Sequence, residues 1–371
     1  MLVGVPKETK ADEYRVGLVP SAVRELSARG HQTLVEQGAG GGAGLSDAAY
    51  EAAGAEIVAT ADEVFGRAEL IVKVKEPLAP ERKMLRRGQM LFTYLHLAPD
   101  RQLTEALLAS GCTAIAYETV TSRNGTLPLL TPMSEVAGRM APQAGARCLE
   151  KEIGGRGILL GGTPGVSPAD VLILGGGVAG TNAALIAFGM GAQVTVVDRN
   201  TDALRRIAAQ FDNRVRTIFS ATDTIETLCR RADLVIGTVL IPGAAAPKLI
   251  TATTVRAMKP GAAIVDVSVD QGGCAETSRP TTHSQPTYVV DGVVHYCVAN
   301  MPGAVSRTST FALTNVTVPF VLALADKGLR ALVDDPHLRA GLNVHDGRLV
   351  HSAVAQALSI EYTPAETVLA N

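Results

Sequence analysis

The feature that most constrains this chain is a run of 27 residues, 171–197, without a single charged side chain. About 20 apolar residues suffice to cross a bilayer, so length alone would permit a membrane span. The glycines at 175, 176, 177, 180, 189 and 191 argue for something else. They cut the run into an apolar segment (VLIL), a tight turn, a helical segment and a β-branched segment (VTVV). Strands covered on both faces of a parallel sheet read as continuous apolar runs. The run is therefore expected to be strand, helix, strand, inside an α/β fold.

The turn, Gly175-Gly176-Gly177-Val178-Ala179-Gly180, matches G-x-G-x-x-G and sits directly between the strand-like and helical segments. Gly175 permits the tight turn, Gly177 lets a pyrophosphate approach the backbone, and Gly180 lets helix and strand touch, while the helix N-terminus offers amides to the anion. Asp198 closes QVTVVD, 18 residues after Gly180. That is near the ~20-residue spacing at which a carboxylate meets the adenine ribose 2′-hydroxyl and repels a 2′-phosphate. NAD rather than NADP is the expected cofactor. The competing reading of Asp198 is a cap for the helix that follows.

With 371 residues the chain is long enough for two domains. Apolar residues at 47% and charged ones at 19% exclude disorder as the main state. The balance of 34 Lys plus Arg against 36 Asp plus Glu, with no basic block, argues against a nucleic-acid partner. Cys112, Cys148, Cys229, Cys274 and Cys297 are widely spaced with no C-x-x-C pair, so neither a zinc site nor a disulfide framework is expected, and no metal. The opening carries Lys7, Glu8 and Lys10 where a signal peptide needs apolar residues. A cytoplasmic protein without membrane association is expected.

Short β-branched runs alternate with helical stretches through the first 130 residues: LVGV, QTLVE, ELIVKVK, MLFTYL and CTAIAY. A helical stretch at 133–150 then leads into a second series, DVLIL, QVTVVD, VRTIF, DLVIG, AAIVDVSV and the VVHYCV run. Alternation of this kind predicts parallel sheets. Beyond Pro302 the pattern turns helical, with too few residues for a third core. The expectation is two Rossmann-like α/β domains with mostly parallel sheets and an active-site cleft between them. One is discontinuous, 1–130 plus 307–371, for substrate; the other, 131–306, binds NAD. Lys75 and His96 end predicted strands, where open α/β sheets bind ligands, and Arg15 lies beyond the first strand. Taken alone, Arg15 reads first as solvated, Lys75 as paired with Glu76, and His96 as a core histidine. In AAIVDVSVDQGG, alternation places Asp266, Ser268 and Asp270 on one strand face, with Asp270 at the carboxyl end.

The opening GVPKETKADEYRVGLVP resembles that of alanine dehydrogenases and of the NAD(H)-binding subunit of proton-translocating transhydrogenases. The segments VKVKEP, FTYLHLA, PMSEVAGRMAPQ, LGGGVAGTNAA, DVSVDQGGC, SRPTT and YCVANMPGAVSRTST are closer to alanine dehydrogenase, across nearly the whole chain. The resemblance implies reversible NAD-dependent deamination of L-alanine to pyruvate and ammonium, with small-molecule substrates and a homo-oligomer, usually a hexamer. It implies that Arg15 and Lys75 hold the substrate carboxylate, and that His96 and Asp270 share the acid/base work. It maps NAD-lining positions onto Ser134, Val178, Asp198, Ser220, Val239, Leu240, Val267, Arg279, Val298, Asn300 and Met301, beside Gly175, Gly177 and Gly180. The alternatives are a transhydrogenase subunit and a dehydrogenase for another small amino acid such as glycine.

Overall fold

The computed structural model describes residues 1–239 and 246–369. Six strands come first: β1 (Leu2–Val5), β2 (Gln32–Glu36), β3 (Ala55–Val58), β4 (Leu70–Val72), β5 (Met90–Thr93) and β6 (Thr113–Ala116). Seven follow: β7 (Asp170–Leu174), β8 (Gln193–Asp198), β9 (Arg216–Phe219), β10 (Leu234–Gly237), β11 (Ala263–Asp266), β12 (Thr287–Val290) and β13 (Val293–Tyr296). The last are β14 (Leu342–His345) and β15 (Arg348–Leu349). They make two sheets, ordered β15-β14-β6-β5-β4-β1-β2-β3 and β12-β13-β11-β10-β7-β8-β9. The chain divides into two compact units: Met1–Met133 with Gly303–Asn371, and Ser134–Pro302.

In the first unit β1 to β6 pair in parallel. Every residue of β4, β5 and β6 is buried, as expected for central strands covered on both faces. Helices such as Arg101–Ser110 pack Leu103 and Leu107 against them, in one core with Leu34, Ile71, Leu91 and Ala114. The tail corrects the helical expectation: besides helices it supplies β14, antiparallel to β6, and β15, antiparallel to β14. Its longest helix, Ser306–Lys327, buries Leu313, Val321, Leu322 and Leu324. Among the described residues, the stretch Met301–Lys327 is long and apolar enough to cross a membrane, and half of its apolar window is buried inside the structure.

The second unit contains the uncharged run as read: β7, the helix Val178–Gly189 and β8. Six strands are parallel. The edge strand β12 is antiparallel to β13, joined by Asp291-Gly292, both in the left-handed region at φ 49° and 77°. Asp346-Gly347 joins β14 to β15 the same way, at φ 47° and 79°. Both are two-residue hairpins of the Asp-Gly kind, a signal present in the sequence that the helix-and-strand alternation overshadowed.

The helix Val178–Gly189 packs closest on the turn after β7 at Gly180, where a Cβ would lie 1.8 Å from the Gly175 carbonyl oxygen. At Gly177 an added Cβ would meet nothing within 4 Å, and its φ of −73° suits any residue. We expect Gly180→Ala to destabilise the protein by at least ~2 kcal/mol, because backbone cannot yield there. Gly177→Ala should melt like the wild type, because an added Cβ there meets open space. Thermal melts of both variants check this; equal melting temperatures for the two would refute it.

Candidate active site

In the second unit the chain turns outward from β7 in both directions across the sheet, to β8 and β9 on one side and to β10, β11 and β13 on the other. Ligands of open parallel sheets bind at the carboxyl ends beside such a reversal. Gly175, at φ 106°, starts the turn there. Gly177 is the N-cap of the helix Val178–Gly189 and supplies no side-chain cap, so amides of its first turn remain to meet a ligand. Val178 is 41% exposed beside them.

Asp198 ends β8 with its carboxylate over the turn: Oδ2 accepts from Gly176 N at 2.5 Å and Oδ1 from Asn200 N at 2.7 Å. The cap of the next helix is Asn200, whose Oδ1 accepts from Asp202 N and Ala203 N. That corrects the capping reading of Asp198. A carboxylate has about four acceptor positions, so two backbone bonds leave room for a ribose hydroxyl. Open space at Gly177, an uncapped helix end and a fixed carboxylate together fit a dinucleotide.

Ser220 and Val239, two other mapped positions, follow the same sheet edge. Ser220, just past β9, donates its N–H to the Asp198 carbonyl. Val239 follows β10 and accepts from the Ser268 hydroxyl at 2.7 Å, while Leu240 lies outside the described residues. Ser134 is half-buried on the helix Thr131–Cys148, and Arg279 stacks over the Tyr288 ring at 4.4 Å. Val298 and Met301 are buried in the core of this unit, with half-buried Val267 packed against it.

The structure corrects the strand reading of Asp270. β11 stops at Asp266, and Val267–Gln271 is a 3-10 turn. The alternation ends because Asp266 turns its carboxylate back on the chain, accepting from the N–H groups of Ser268 and Cys274 and from the Ser278 hydroxyl. Asp270 is exposed on the turn, and its Oδ2 accepts from Asn300 N at 3.5 Å. Asn300 has φ 59°.

In the first unit Arg15, Lys75 and His96 follow β1, β4 and β5, which are neighbours in the sheet. Lys75 and His96 each lie three residues past their strand rather than at its end. Arg15 is not solvated: it is 2% exposed and forks onto Glu13, with Nε–Oε1 2.6 Å and Nη2–Oε2 2.5 Å. Lys75 does not pair with Glu76, which binds Lys10. Partial burial, and then the nearby Arg15 cation, push the Lys75 ammonium below its ordinary pKa. His96 is not a core histidine. Its side chain is 47% exposed, its φ is 50°, and its ring stacks on Tyr94, centroids 5.9 Å apart. Glu118, on the turn after β6, holds this conformation by accepting from His96 N at 2.6 Å and Leu95 N at 3.2 Å. A left-handed non-glycine residue costs roughly 1–2 kcal/mol, and such strain persists where neighbours over-determine it. Sequence reading missed Glu13, Glu118 and Tyr94. The signal available for Glu13 was its i, i+2 spacing from Arg15.

Among the described residues no group of three or more His, Cys, Asp or Glu is placed to hold a metal, and all five cysteines are buried and free.

Residues 4–137 match the family described as "Alanine dehydrogenase/PNT, N-terminal domain", and residues 141–352 its C-terminal domain. The chain belongs to the alanine dehydrogenase/PNT family. Within it, the alanine dehydrogenase of Halomonas elongata is 60% identical over 370 residues, covering all of both chains. A solved L-alanine dehydrogenase superposes with a TM-score of 0.94 at 55% identity, over 97% of this chain and 99% of the other. A transhydrogenase from Sinorhizobium meliloti follows at 0.81 and 27%, over 95% and 100%. Membership in an alanine dehydrogenase/PNT family, with a Rossmann-like unit, implies a nicotinamide cofactor.

Loss of one partner from a buried pair leaves a charge uncompensated, which costs about 3–5 kcal/mol. Glu13→Ala is expected to lower stability by that order through Arg15, as read from urea unfolding. A loss below about 1 kcal/mol would show that Arg15 does not depend on Glu13.

Proposed function

We propose that this chain catalyses the reversible NAD-dependent oxidative deamination of L-alanine to pyruvate and ammonium. The observation that carries the reading is the end-to-end likeness, at 60% identity, to a protein named alanine dehydrogenase. The cations Arg15 and Lys75 off neighbouring strands agree with it. A pure dinucleotide binder has no use for a carboxylate clamp, and the weaker likeness to a transhydrogenase at 27% identity favours the same choice.

Each residue's part follows from its chemistry. Arg15, held rigid by Glu13, and Lys75, a mobile point charge, bind the substrate carboxylate and orient Cα. When bound, NAD would supply a nicotinamide as the acceptor for the Cα hydride. Asp198 takes the ribose hydroxyl and disfavours a 2′-phosphate, and the glycine turn takes the pyrophosphate. Water then adds to the imine carbon as Asp270 or His96 removes its proton, and the carbinolamine collapses to pyruvate and ammonium. His96, exposed and fixed by Glu118, suits proton transfer at the substrate oxygen; Asp270, exposed on its turn, suits proton removal from water. A homo-hexamer and a cytoplasmic location belong to the same reading.

The decisive assay is NADH oxidation by the purified protein with pyruvate, with and without ammonium. We expect turnover only when both are present, and faster than with glyoxylate. Equal rates without ammonium would make it a hydroxy-acid enzyme instead.

The lowered pKa of Lys75 adds a pH dependence. Below that pKa the clamp is charged; as pH rises through it, the charge disappears and carboxylate binding weakens. Pyruvate KM should therefore climb at a pH below the ordinary lysine range. In Lys75→Ala the KM should be high throughout and this climb absent. An alkaline rise that survives the substitution would assign it to another group.

A further inference from the structure

The first unit buries a charge cluster that the reaction does not use. Lys73, the residue after β4, has a fully buried side chain whose Nζ lies 2.6 Å from Glu81 Oε1 and 3.3 Å from Glu8 Oε2. The side chains of Glu8 and Glu81 are themselves 2% and 4% exposed. Backbone amides meet the carboxyl oxygens of both glutamates. Glu8 Oε1 accepts from Val74 N at 2.6 Å and Lys75 N at 3.4 Å, and Glu81 Oε2 from Leu78 N at 2.7 Å.

A core gains little stability from such a cluster, since apolar side chains of similar volume do as well or better. Its placement suggests what it is for. The contacts surround residue 75: its N–H meets Glu8, its carbonyl accepts from the Thr93 hydroxyl at 2.9 Å, and the Val74 carbonyl accepts from Tyr94 N at 3.2 Å. Among the described residues no carboxylate lies within ion-pair distance of Lys75 itself, because Glu76 is taken by Lys10 and Glu13 by Arg15. The main chain is pinned on both sides while the ammonium stays available.

We propose that Glu8 is a positioning residue for Lys75: tied to Lys73 and Glu81, it fixes the backbone from which the Lys75 ammonium reaches the substrate carboxylate. The proposal rests on the reading of Lys75 as a carboxylate-binding group. A flexible four-carbon side chain delivers its charge accurately only if its root is fixed, and a misplacement of about 1 Å can cost up to ~10²-fold in rate.

The test is a double-mutant cycle of Glu8→Gln and Lys75→Ala in the full-length protein, with pyruvate KM and kcat measured at saturating NADH and ammonium. NADH affinity and melting temperature are recorded beside them. Glu8→Gln keeps the size and replaces the carboxyl group by an amide. Pyruvate KM should rise about tenfold, with NADH affinity unchanged, and Glu8→Gln should add nothing in the Lys75→Ala background. An unchanged KM in Glu8→Gln, or independent effects that multiply in the double variant, would overturn the proposal. An unchanged pyruvate KM in Lys75→Ala would overturn the underlying reading of Lys75. If Glu8→Gln does not fold, Glu8→Asp, which shortens the side chain and draws the carboxylate back from the Val74 and Lys75 amides, takes its place in the cycle with the same outcomes.

Discussion

Parallel strand pairing is the constraint on which the rest of this structure depends. A parallel ladder brings every carboxyl end to one edge, and each return trip is made by a helix on a face of the sheet. Residues distant in sequence, such as Arg15, Lys75 and His96, thus follow three adjacent strands. In the second unit the same rule gathers the glycine turn, Asp198, Ser220, Val239 and the Val267–Gln271 turn along one edge. Strands in these sheets are only two to six residues long, so the fold leaves much of its chain free for loops at that edge.

Polar groups complete what the pairing begins. KETKADEYR reads as a solvated charged stretch, yet Glu8, Glu13 and Arg15 are all buried. Burying charges is costly unless each finds partners, and here the partners are an ion pair or backbone amides. The same device recurs at Glu118, which bonds two amides and holds His96 at positive φ. Carboxylates aimed at main-chain N–H groups do for these loops what hydrogen-bonded ladders do for strands.

Much of the fold was legible because it is written in local pattern. The uncharged run, its glycines and the terminal Asp198 each report on the residue itself or on near neighbours. Less legible was whatever depends on a distant partner. Asp270 looked like a strand residue because alternation cannot show that Asp266 will turn back and end β11. Glu8 and Glu118 looked unremarkable because their partners lie 66 and 22 residues away. Strands β14 and β15 were hidden by brevity and by helical surroundings, although the Asp-Gly pair between them marked a hairpin. Val298 and Met301 are buried among core residues, where sequence has no means of separating a ligand contact from packing.

The pairing of β14 with β6 bears on how the molecule is made. The second unit is one continuous segment, Ser134–Pro302, whereas the first needs both Met1–Met133 and Gly303–Asn371. On the ribosome, where chains emerge at roughly 5–20 residues per second, the later-encoded unit has all its strands while the earlier one still lacks two. Until residues 342–345 arrive, one side of β6 has unpaired backbone groups, the kind of edge that recruits foreign strands. The nascent chain therefore passes through a stage with one finished body and one open sheet, and this is when a chaperone has most to protect.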